Sequence, residues 1–224
     1  MEFTSQSIAA LLMIGSTAFA YFQFQKAANW NKWVGAAMAL WLMVQMILAQ
    51  RGFYSDTTST PPRFPLLLIP PILVIIAAFT VPFLKTGVQK IELKYLVWVH
   101  IVRIPVEIAL HQLYLAGWVP QIMTYEGNNF DIISGITAPF IAYFGYNKQK
   151  LPQWVLTTWN LVCLGLLFNI VITAILSAPT PFQQLAFDQP NIAVTEFPFV
   201  WLPCFIVPVV LFAHIKALIS TAKN

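Results

Sequence analysis

The run Leu96-Val-Trp-Val-His100-Ile-Val-Arg103-Ile-Pro105-Val-Glu107-Ile-Ala-Leu-His111-Gln-Leu-Tyr-Leu-Ala-Gly117-Trp118 decides how this chain is read. Successive spacings of three, four and four put His100, Arg103, Glu107 and His111 on one stripe of a helix. Their neighbours are Val, Ile, Leu, Ala and Trp, which marks a membrane-spanning helix. Ionisable groups in such a setting cost several kcal/mol each and mark functional sites by default. The rest of the sequence reads as a container for this stripe.

Composition supports the container. The 224 residues are 58% hydrophobic and 9% charged, with a mean hydropathy of +0.72. Soluble domains carry about 25% charged residues, so a soluble globule is excluded. Seven apolar stretches approach the roughly 20 residues that cross a bilayer: Ile8–Gln25, Trp33–Gln50, Phe64–Leu84, Lys94–Trp118, Phe130–Tyr146, Trp154–Ser177 and Pro198–Ile219. The expected fold is an all-α integral membrane protein, a single domain over residues 1–224 built as a bundle of seven transmembrane helices.

Charge in the connections sets the orientation. Lys26 and Lys32 fall in the first loop, Lys85, Lys90 and Lys94 around the third, Lys148 and Lys150 in the fifth, and Lys216 and Lys223 near the C-terminus. Arg51, Asp56, Arg63, Glu126, Asp188 and Glu196 fall on the other side. Basic loops stay inside, so the N-terminus is expected outside and the C-terminus in the cytoplasm, in the plasma (inner) membrane. Ser16 to Ala20 ends in an A-x-A-like pattern, but Glu2 precedes the apolar run while Lys26 and Lys32 follow it. That order reverses a cleavable signal, and the first span reads as uncleaved. The net charge of +4 serves topology, and no basic face with interleaved aromatics points to nucleic acid.

Within the stripe, Arg103 and Glu107 are spaced to pair, as are Glu107 and His111. Asn129 and Asp131 open the fifth span and are placed to cap a site lined by Arg103, Glu107 and His111; helix capping is the ordinary alternative for Asp131. His100 and His214 fall at similar depth near the inner end, which permits a bis-histidine haem or two unrelated histidines. His100 and His111 are eleven residues apart, roughly 16 Å at about 1.5 Å per residue, too far for one metal. Asn160 in the sixth span is a further polar candidate, with interhelical hydrogen bonding its default role. Prolines 105, 203 and 208 lie inside spans, and kinks there are expected to open a cavity beside the stripe. Cys163 and Cys204 read as apolar packing residues.

No P-loop, GxGxxG, HExxH or CxxC is present. A retinal lysine is excluded because Lys216 sits at the inner end of the last span. The leading expectation is binding or transport of a small ligand, ion or proton that reaches the site from the outer face. The alternatives are an intramembrane enzyme, metal-dependent or acid/base, using Glu107 and His111, and a non-catalytic or haem-binding electron-transfer subunit. No cofactor is specified by the sequence, and the bilayer is the one partner it names.

Overall fold

The third predicted span does not run straight. Val81 precedes Pro82, and the residue before a proline is driven out of the helical region. Val81 is extended (φ −75°, ψ 121°), and the chain turns by 88° between Ile69–Thr80 (α3) and Pro82–Gln89 (α4). This computed structural model describes residues 4–56 and 63–221; Glu2 and Lys223, used above for charge, lie outside them.

Regular structure among the described residues is helical throughout. Four helical runs are long and apolar enough to cross a membrane: Ser5–Ala27 (α1), Lys32–Gln50 (α2), Gln153–Ser177 (α8) and Leu202–Thr221, the last ending in Val207–Thr221 (α9). Counting the bent α3–α4 pair as one makes five. The charged stretch forms a run in three pieces, Leu93–Leu96 (α5), a 3-10 segment Val97–Val102, and Arg103–Leu115 (α6). The fifth predicted span is shorter, Ile132–Phe140 (α7) continued by a π-helical Ile141–Asn147.

Proline explains two of the irregular windings. Pro105 has no N–H for the carbonyl of Ile101, and the chain just before Arg103 is wound as 3-10. Pro208 likewise cannot serve the carbonyl of Cys204. A π-helical Leu202–Ile206 precedes it, and the indole Nε1 of Trp41 donates to that carbonyl at 2.9 Å. Trp201 reciprocates, donating to the Leu42 carbonyl at 3.0 Å, so α2 and the broken turn hold each other.

Packing puts α6 at the centre, with α1 along it and α7 against the Val97–Val102 segment. Small buried residues on α1 (Ala9, Ser16, Ala20) permit the close approach. The basic connections gather at one end. Lys26 and Lys94 share the ring of Tyr95, at 4.6 and 4.8 Å, and the Glu92 N–H donates to the Ala27 carbonyl. Gln153, which starts α8, donates to the Thr221 carbonyl at the end of α9. The long connections meet at the opposite end, where Ser55 donates to Glu196 at 2.6 Å and Gln189 to the carbonyls of Tyr114 and Val119.

Candidate functional site

Arg103 is the hub. It is 3% exposed and is bound from three helices at once. Its Nη1 donates to Asp131 Oδ1 at 2.5 Å and to the Cys163 carbonyl at 3.1 Å. Its Nη2 lies 2.8 Å from His214 Nε2. The expected Arg103–Glu107 pair is not made. Asp131, not Glu107, is the counter-ion, because α7 comes close enough to deliver it. Gly135, one turn along α7, allows that approach: a Cβ there would lie 2.8 Å from Ile104 Cγ1 and 3.3 Å from Arg103 Cβ. The alternative reading of Asp131 as a helix cap fails too. It occupies the cap position of α7 but makes no side-chain capping bond, while Asn129 Oδ1 accepts from its backbone N–H at 3.1 Å.

Glu107, 1% exposed, accepts a hydrogen bond on Oε2 from Asn129 Nδ2, which also donates to the Met123 carbonyl at 3.0 Å. Among the described residues its Oε1 has no hydrogen-bond partner, and neither has Arg103 Nε; both atoms are buried. His111 leaves the group. Its Nε2 lies 3.0 Å from Glu126 Oε1 and its ring stacks on Tyr125 at 4.7 Å, so the Glu107–His111 pair required by the acid/base enzyme reading is not assembled.

The secondary candidates join the cluster instead. His214 Nδ1 lies 2.9 Å from Asn160 Oδ1, and Asn160 Nδ2 donates to the Leu156 carbonyl and to the Tyr146 hydroxyl. His100 stacks on His214 with ring centroids 4.1 Å apart and planes 32° apart, and among the described residues neither of its nitrogens has a hydrogen-bond partner. Axial haem ligands point at the iron from opposite faces of the macrocycle. These rings lie face to face at van der Waals distance, and both nitrogens of His214 are engaged, so the pair does not fit a haem. Among the described residues no group of three or more His, Cys, Asp or Glu side chains could hold a metal ion.

Sequence reasoning missed Ser134, whose hydroxyl donates to Asp131 Oδ1 at 3.5 Å, Gly135 and the Cys163 carbonyl. The one signal for them is Asp131-Ile-Ile-Ser134-Gly135, which sets an acidic, a hydroxyl and a hydrogen side chain one turn apart.

Beside the cluster lies a cavity of about 60 Å³. Arg103, Glu107, Asn129 and Asp131 are its polar lining; the remainder is apolar apart from backbone and includes Val106, Leu110, Leu167 and Pro203. It occupies the place expected from the prolines. Phe64 also lines a second, more polar pocket at the loop-rich end, with Tyr54, Asp56, Arg63 and Glu196. Burial there pushes the Tyr54 hydroxyl up to about 12, and this hydroxyl donates to Gln45 at 2.5 Å.

A family model described as "Domain of unknown function (DUF8737)" matches residues 62–220. No curated protein and no solved structure matches the chain. The match spans α3 to α9 with every side chain of the cluster, and the chain belongs to the DUF8737 family.

Proposed function

We propose that this is a seven-span membrane protein, N-terminus outside and basic loops in the cytoplasm, that binds a small ligand in the cavity beside α6. Arg103, Glu107, Asn129 and Asp131 form the polar end of that site, and the aliphatic side chains of α8 and α9 form its body. One observation carries the reading: polar groups from separate elements converge on one part of an otherwise apolar cavity, with Glu107 Oε1 lacking a partner there among the described residues. Ligand sites have this make-up, a mostly apolar surface with a few convergent polar groups.

Native mass spectrometry of protein released from its own membranes tests this. A retained small-molecule adduct is expected, and Val210→Trp or Val106→Trp, which fill the cavity, should lose it. Absence of any adduct, with Val210→Trp more stable than the parent, would leave the cavity a packing gap.

A second reading has its own support. Arg103 is held from α7, α8 and α9 together, which is also how a buried ion pair pins helices. In that case the cluster serves assembly only. Single-cysteine labelling at Lys26, Lys85 and Lys148 tests the sidedness: these sites should resist impermeant reagents added outside intact cells.

A further inference from the structure

The walls of the cavity and the charge at its polar end narrow the ligand to one class; this deepens the binding reading and rests on it. On α8, Leu161, Gly165, Phe168 and Ile172 form an exposed stripe. Ile170, Val171 and Ile175, on the cavity side of that stripe, are only half-buried and line the cavity. Leu202 and Val207 are half-buried lining residues too. Phe64, in the 3-10 turn Phe64–Leu67, and Leu68, just before α3, line it as well. Beyond them α3 buries only Ile75 and exposes Leu73, Val74 and Ile76. The part-exposed lining of the cavity is therefore apolar, while buried Phe64 lines both this cavity and the polar pocket at the loop-rich end. A ligand entering past that lining is one that dissolves in the bilayer.

The polar end selects the head. Among the described residues Arg103 is the one cationic side chain lining the cavity, and Asp131 already neutralises it. An anionic head would meet two carboxyl groups and, among the described residues, no cationic side chain other than the paired Arg103. A cationic head would share a low-dielectric space with the guanidinium, where like charges repel strongly. An uncharged head avoids both costs. Two polar atoms at this end, Arg103 Nε and Glu107 Oε1, lack partners among the described residues. The first is a donor. The second becomes one when Glu107 is in its acid form, the form that needs no counter-charge when buried.

We infer that the ligand is an uncharged amphiphile with a carbonyl-bearing head and a hydrocarbon tail, drawn from the bilayer between α3 and α8, its carbonyl oxygen accepting a hydrogen bond from Glu107.

The test uses the full chain in lipid nanodiscs and probes with a common tail: decylbenzoquinone, decanoate and decylamine. The readout is the saturable rise in unfolding temperature that a ligand binding the folded state produces. Decylbenzoquinone should bind at least about tenfold more tightly than either charged probe. Val210→Trp should abolish its effect. Glu107→Gln, whose amide still donates, should retain binding, and Glu107→Leu should weaken it by about tenfold, the loss of one hydrogen bond of about 1.4 kcal/mol. Tighter binding of decanoate or decylamine would overturn the inference and leave the binding reading standing. No saturable probe binding, or binding indifferent to Val210→Trp, would also overturn it, and the native adduct would then decide the binding reading separately.

Discussion

Arg103 fixes the tautomer of His214. A guanidinium only donates, so the 2.8 Å contact from Nη2 makes His214 Nε2 an acceptor. The proton then sits on Nδ1, which faces the acceptor Asn160 Oδ1 at 2.9 Å. Nitrogen NMR of histidine-labelled protein should show one neutral imidazole protonated at Nδ1, and its signal should vanish in His214→Phe. A doubly protonated ring at neutral pH would break the chain of bonds from Arg103 to Asn160.

The Arg103–Asp131 pair should be coupled, and Arg103–Glu107 should not. Removing one member of a buried pair costs about 3–5 kcal/mol because the other charge is left alone. Arg103→Met and Asp131→Leu should each destabilise by that order, and the double variant should recover much of it. The cycle of Arg103→Met with Glu107→Gln should be close to additive. Unfolding in detergent, read by tryptophan fluorescence, measures both cycles. Strong coupling to Glu107 with none to Asp131 would reverse the assignment.

Glycine offers an internal control. Gly135→Ala places a methyl against Ile104 and Arg103 and should cost about 1–3 kcal/mol, the usual range for overpacking. Gly165 has nothing within 4 Å of an added Cβ. Gly165→Ala should therefore stabilise α8 by roughly 0.5–1 kcal/mol through backbone entropy alone. Equal effects at the two sites would mean that α7 does not press on α6 at Arg103.

How much of the site the sequence discloses depends on helix phase. The stripe was legible because charged side chains in an apolar run stand out at once. Its partners were not. An α-helix turns about 100° per residue, so His111 drifts roughly 80° from Arg103 over eight positions, and it lands on Glu126 and Tyr125. A 3-10 segment eclipses positions three apart. The Val97–Val102 winding thus keeps His100 beneath Arg103, and both face His214. The choice of Asp131 over Glu107 is a tertiary fact, set by the approach at Gly135, and periodicity carries no trace of it. The helices long and apolar enough to cross a membrane and the gathering of the basic loops were legible because hydropathy and charge are sums over many residues. The bend at Val81 was legible in principle from Pro82, but the apolar run continues through it and masks the break.

The Trp41 indole should depend on Pro208. The Cys204 carbonyl is buried with its residue, 1% exposed, and lacks its helical donor because Pro208 has no N–H. Trp41 Nε1 supplies the missing bond across from α2. Trp41→Phe keeps an aromatic ring but orphans the carbonyl, which should cost about 1–3 kcal/mol. Pro208→Ala alone restores the backbone donor and should be mild, since it also lets the turn relax toward α-helix. In the double variant the backbone N–H regained at position 208 can donate to the carbonyl, so Trp41→Phe should cost appreciably less there than in the parent. Thermal unfolding of the four proteins gives the coupling directly. If Trp41→Phe is equally costly with and without Pro208, the indole stabilises α2 by packing alone.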